Sequence, residues 1–191
     1  MVALLKEGGV NVKAFDAVSE KTLDELFEEV SNQEVHLQVM PAKNGMPAYV
    51  ARCALTVGVR VIALYDKAKI LETKRELRSG NVIVKTRDWT ITGTRRRGVC
   101  CMEDAVRELK EELQLEVDSK QLSYYKQDIP KPYPSSAYPL LMTHSQITLV
   151  NCDVDRLPWP EEVKVVQDGY KRLTLKRFPL ELDDISLLGP D

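Results

Sequence analysis

At 191 residues the chain is long enough for one domain with a proper core and short for two. Hydrophobic residues at 43% and charged residues at 29% are an ordinary globular balance, and a net charge of −2 argues against a generally basic nucleic-acid binder. With 2 histidines, and 4 cysteines at no zinc spacing, a His-rich metal site, a His-centred triad and a zinc knuckle are disfavoured, and the thiols are expected to be reduced in a cytoplasmic setting.

Residues 1–18 read as irregular. Met1 to Leu5 is apolar but too short for a signal peptide, and Lys6 and Glu7 end it. No apolar run approaches the ~20 residues that span a bilayer, so no membrane partner is expected. Thr22 with Glu25 fits a capping box, and Leu23, Leu26, Phe27 and Val30 follow at helical spacing. This predicts a helix over 22–31 that packs on the domain. Val35 to Val39 alternates as a strand does, and Pro41 to Pro47 is a loop. Residues 1–47 thus read as an N-terminal extension on a domain of residues 48–191.

Tyr49 to Val57 is β-like, Gly58 reads as a turn or bulge, and Val59 to Tyr65 is the next strand. Ile70 to Lys74 is its hairpin partner, and Ser79-Gly80-Asn81 turns the chain into Val82 to Val84. From Lys67 to Arg97 the chain carries ten Lys and Arg against three acids, ending in Arg95-Arg96-Arg97. Leu122 to Gln127 and Leu140 to Val150 read as strands. Between them, the proline-braced stretch from Ile129 to Pro139 carries Tyr133 and Tyr138, which either stack a nucleobase or pack the loop onto the body. Pro158 to Glu162 reads as a helix start, Glu161 and Glu162 being loop-proximal acids, and Leu173 to Phe178 reads as extended.

The stretch from Ala105 to Leu113 holds the chemistry. At helical spacing Val106, Leu109 and Leu113 share one side with Ala105 beside them. Glu108, Glu111 and Glu112 stand at i, i+3 and i+4, so their carboxylates share another face. Like charges there repel unless solvated, ion-paired or bridged by a hard cation. Arg107 to Glu111 is an i,i+4 ion pair, so a solvated, ion-paired face and a metal face are both open at this point.

With its flanks, the stretch resembles the box of the Nudix hydrolases, written G-x5-E-x7-R-E-U-x-E-E-x-G-U with U aliphatic. Gly93 matches the opening glycine, Arg107-Glu108 the R-E pair, Leu109 the aliphatic, Glu111-Glu112 the E-E pair and Leu115 the last aliphatic. Two positions depart: Val99 stands where the first glutamate belongs and Gln114 where the last glycine belongs.

The resemblance implies an α/β fold, a Nudix-type mixed sheet sandwiched by helices in one domain. It implies Mg²⁺ or Mn²⁺ held by Glu108, Glu111 and Glu112, with Glu111 and Glu112 catalytic. It gives Arg107 and Gly93 structural roles, and Arg95, Arg96 and Arg97 contact with a phosphate. The implied activity is hydrolysis of a nucleoside diphosphate linked to another group, with a nucleotide-type small molecule or an RNA 5′ end as partner. The rival is a weak or inactive module that binds nucleotide, RNA or protein; Val99 and Gln114 favour it.

Overall fold

The computed structural model describes residues 1–43, 45–156, 163–168 and 171–181. The fold is mixed α/β, the class expected, and it forms two compact units, each gathered from separate stretches of chain.

The first unit comprises Met1–Thr56, Thr94–Val99 and Asp128–Ile147. Its N-terminus is ordered where the sequence predicts irregular chain. Helix α1 spans Val2–Glu7, a 3-10 turn spans Val12–Ala14 and α2 spans Phe15–Val18. Helices of 6 and 4 residues are too short to show a period in the sequence. Such short pieces are held by burial rather than propensity, and Leu5, Val10 and Phe15 are all buried. The predicted helix follows as α3, Leu23–Ser31. Its capping box is closed on both sides: Glu25 N–H donates to Thr22 Oγ1 at 3.2 Å, and Thr22 N–H donates to the Glu25 carboxylate at 2.6 Å. Strand β1 (Val35–Met40) pairs antiparallel with the start of β2 (Tyr49–Ala63), with His36 opposite Cys53. Inside the proline-braced loop, β7 (Tyr133–Pro134) pairs with the start of β8 (Met142–Val154).

The second unit comprises Val57–Gly93, Cys100–Gln127 and the described residues from Thr148 onward. Its sheet runs in the order β6 (Leu122–Asp128), β8, β2, β3 (Ala68–Leu77), β10 (Lys171–Pro179), β9 (Val163–Asp168). Strand β4 (Val82–Val84) pairs with β3, and β5 (Ile91–Thr94) pairs with β2. The β2–β3, β3–β10, β9–β10 and β3–β4 pairings are antiparallel, with a bulge in β10 between Thr174 and Leu175.

Of the turn or bulge expected at Gly58, a turn is absent: β2 runs through 15 residues. A Cβ at Gly58 would lie 2.5 Å from Leu149 Cδ2 and 3.5 Å from Trp89 Cβ. The glycine makes room for a neighbouring side chain.

The core of this unit gathers Val57, Val59, Val61, Ile91, Val150, Leu173 and Leu175. Helix α4 (Cys101–Leu113) adds Ala105, Leu109 and Leu113, with Val106 partly buried against it. This is the apolar side that the spacing predicts. Each buried leucine contributes roughly 1.5–3 kcal/mol, so two of them fix which face of α4 looks outward. Among the described residues no helix is long and apolar enough to cross a membrane. The predicted helix start at Pro158 to Glu162 lies outside the described residues.

Candidate functional site

Helix α4 begins after Cys100, and Glu103 and Asp104 in its first turn suit the positive end of the helix dipole. Its outward face carries the three glutamates in unequal settings. Glu108 is buried, Glu112 half-buried and Glu111 exposed. Gly93, at the end of β5, lies directly against Glu108: a Cβ at Gly93 would overlap the Glu108 carboxyl group. Glycine is therefore required here for close approach, with an ordinary backbone. The two residues stand far apart in sequence, and the fold seats one on the other.

Arg107 closes the cluster. Its Nη2 donates to Glu108 Oε1 at 2.5 Å and its Nη1 to Glu111 Oε2 at 2.8 Å, while Nε lies 3.8 Å from Asp104 Oδ1. Burial pushes the Glu108 carboxyl above its usual range; Arg107 and Lys171 pull the other way, and the charge of Glu111 adds to the rise. A buried carboxylate beside a second carboxylate is a site short of positive charge, and Arg107 supplies part of it.

Three carboxylates are the donor class a hard divalent cation takes, and the space that Gly93 leaves keeps the Glu108 carboxyl seated beside the helix. As the side chains stand, no three His, Cys, Asp or Glu residues among those described are gathered as a metal cluster. Glu108 and Glu111 meet on Arg107 instead. The donor chemistry fits the ion.

The two departures from the box have different consequences. Gln114 closes α4 in the left-handed region, at φ 57 and ψ 31. That is a conformation glycine adopts at little cost and glutamine does not. Gln114→Gly is expected to raise stability by up to ~1 kcal/mol, the unfolded-chain entropy of glycine offsetting part of the gain. A higher urea midpoint at unchanged slope is the result expected, and a lower midpoint would show that the glutamine side chain contributes more than its backbone costs. Val99, in the first unit, is half-buried, and its carbonyl lies 3.5 Å from Arg95 Nη2. It offers no metal ligand.

Of the arginine cluster, Arg95 is half-buried and Arg96 and Arg97 are exposed, all in the first unit. Part of the wider basic excess is spent inside the second unit. Buried Glu72 accepts from Arg75 Nε at 2.9 Å and Nη2 at 2.7 Å, with Arg87 Nε at 4.0 Å. Lys74 pairs with Glu76, while Asp88 is taken by Lys126 from outside the stretch, at 3.1 Å.

The two loop tyrosines separate. Tyr133 is 41% exposed, whereas Tyr138 is 0% exposed and packs its ring 5.8 Å from Phe15. Tyr138 is a core residue, so of the two roles open to it, packing the loop onto the body is the one the structure shows. The Tyr138 hydroxyl donates to Glu29 Oε1 at 3.0 Å. Glu29 in turn accepts from Lys21 Nζ at 2.8 Å and from Arg52 Nε and Nη2 at 3.1 and 2.8 Å. This buried polar centre of the first unit is missing from the sequence reading, because Arg52 and Tyr138 lie far along the chain from Glu29.

No protein-family model matches the sequence, and no curated protein does. Among solved structures the chain is similar to the E. coli dihydroneopterin triphosphate pyrophosphohydrolase, at 15% identity over 70% of this chain and 84% of that one, with a TM-score of 0.41. It is similar to a MutT/nudix family protein from Enterococcus faecalis at 12% identity over 81% of this chain and 59% of that one, with a TM-score of 0.33. A third likeness is to a bifunctional NMN adenylyltransferase/ADP ribose pyrophosphatase from Francisella tularensis, complexed with AMP and a manganese ion, at 15% identity and a TM-score of 0.40. The match covers 70% of this chain and 36% of the Francisella protein, so the chain spans about a third of that relative.

Proposed function

We propose that the chain is a Nudix-type hydrolase, a Mg²⁺- or Mn²⁺-dependent pyrophosphohydrolase for a nucleoside diphosphate linked to another group. The observation that carries this reading is the seating of Glu108 against Gly93 under the grip of Arg107. These are the box positions that pin a loop to a helix, and they meet in space. A chance match of spacing has no reason to leave a carboxyl group where a Cβ at the box glycine would fall.

Glu108, Glu111 and Glu112 would hold the ion, which supplies charge neutralisation on the phosphates and an activated water. Arg107 holds Glu108 in place and balances its charge. Glu111, exposed and on the same face, is the ligand most open to solvent. Which phosphoanhydride is cleaved rests on the resemblance. A second reading, a non-catalytic module for nucleotide, an RNA 5′ end or a protein, is favoured by Val99 and by the charge that Arg107 already returns to Glu108 and Glu111.

Calorimetry separates the two. Titration of the full chain with Mg²⁺ or Mn²⁺, alone and with nucleotide, is expected to show binding. Glu112→Gln should weaken it roughly tenfold or more while the circular dichroism stays that of the wild type. Absence of divalent binding under both conditions would leave the second reading standing alone.

A further inference from the structure

We propose that Asp104 makes good the carboxylate missing at Val99: it is a positioning residue that holds Arg107, so that Glu108 and Glu111 can turn to a divalent ion. The inference rests on the hydrolase reading for the ion and on the geometry of α4 for the contact.

The box asks for one acid that this chain lacks, and α4 carries one that the box does not ask for. Val99 stands at the first glutamate of the box, and residue 104 falls among its unspecified positions. Asp104 is nevertheless 0% exposed. An aspartate is almost never fully buried unless its charge is met, because desolvation penalises the carboxylate. Two features meet it here. Asp104 lies in the first turn of a 13-residue helix, at the positive end of the dipole. Its Oδ1 lies 3.8 Å from Arg107 Nε, one turn further along.

The dipole alone does not account for this acid. Glu103 shares the same first turn and is exposed, as a helix-start acid usually is. Asp104, Glu108 and Glu111 stand at i, i+4 and i+7, so they share one face of α4. Arg107 serves all three. Its planar fork donates through Nη2 to Glu108 and through Nη1 to Glu111, and its Nε edge lies toward Asp104. A divalent ion competes with Arg107 for Glu108 and Glu111, because a hard cation takes the same oxygens. When the ion takes them, Arg107 keeps Asp104. With Asp104 neutralised, the guanidinium would hold the two glutamates harder, and the face would carry one negative charge fewer. Both consequences weaken the ion.

Nitrogen–proton NMR of the arginine Nε–H groups in the full chain reads the contact without metal, the Arg107 signal being assigned by its loss in Arg107→Lys. Asp104→Asn is expected to shift that signal. Glu103→Gln, which removes an equal charge from the same turn, should leave it in place. Mn²⁺ titration reads the consequence. Asp104→Asn should weaken binding about tenfold, the lower end for a group behind a metal ligand, and Glu103→Gln by less than about twofold. Adding Val99→Glu to Asp104→Asn should restore affinity, by a larger factor than Val99→Glu adds to the wild type. Asp104→Ala, a good helix former at a buried position, replaces Asp104→Asn should the latter not fold. An Arg107 signal unmoved by loss of Asp104, equal losses of Mn²⁺ affinity in Asp104→Asn and Glu103→Gln, or a Val99→Glu gain no larger in Asp104→Asn than in wild type would overturn the proposal. Wild type that binds no Mn²⁺ would sink the hydrolase reading and this proposal with it. Mn²⁺ binding that Glu112→Gln weakens and Asp104→Asn does not would sink this proposal alone.

Discussion

Glu29→Ala is expected to lower stability by about 3–5 kcal/mol, the usual result of removing one partner from a buried charge network. Glu29 is 7% exposed and holds Lys21, Arg52 and Tyr138 at 2.8–3.1 Å. The substitution strips Arg52, whose side chain is 13% exposed, of its carboxylate and leaves the Tyr138 hydroxyl without its acceptor. Glu29→Gln keeps an acceptor and loses the charge, so it should cost less. The same network sets an acid response. Burial alone would raise the Glu29 carboxyl, but Arg52 and Lys21 outweigh it and hold it below the ordinary value of 4.5. A carboxyl whose pKa is lower folded than unfolded stabilises the protein fully above its unfolded pKa. That contribution is lost as pH falls through the folded value. Denaturant midpoints at pH 7 and below 4.5 should therefore fall more steeply for wild type than for Glu29→Gln. A Glu29→Ala protein within about 1 kcal/mol of wild type would show the network to be dispensable.

The parts of the fold that follow from local spacing are legible in the sequence. Helix α4 shows its buried side through Ala105, Leu109 and Leu113, and α3 announces itself through Thr22 and Glu25, because each signal lies within a turn or two of chain. The short N-terminal helices carry no such signal, since a buried Leu5 or Phe15 gives no period by itself. The turn alternative at Gly58 fails because a glycine that admits Leu149 looks, in sequence, like one that turns the chain.

The candidate site divides in the same way. That Arg107 pairs with Glu111 is readable from i,i+4 spacing. That Glu108 sits buried against Gly93 is not readable from spacing at all; it enters the sequence reading only through the resemblance, and the structure supplies the contact. The basic stretch from Lys67 to Arg97 looks in sequence like one ligand surface, but Arg75 and Arg87 are turned to buried Glu72 and Lys74 to Glu76.

Formation of the two phosphomonoester products by the full chain in Mg²⁺, resolved by chromatography, tests the central claim, that the carboxylates of α4 carry metal-assisted hydrolysis of a phosphoanhydride. The substrates are dinucleotides, nucleotide sugars and 5′-capped or triphosphorylated RNA, with wild type, Glu111→Gln and Val99→Glu side by side. Wild type is expected to hydrolyse one class in a Mg²⁺-dependent manner. Glu111→Gln should lower that rate by about a hundred- to a thousandfold, the scale of one lost electrostatic contact in such a site. Val99→Glu, restoring the carboxylate that the box normally has, should raise turnover or lower the Mg²⁺ requirement. Wild-type hydrolysis that survives Glu111→Gln unchanged, or no hydrolysis of any class even by Val99→Glu, would contradict the claim.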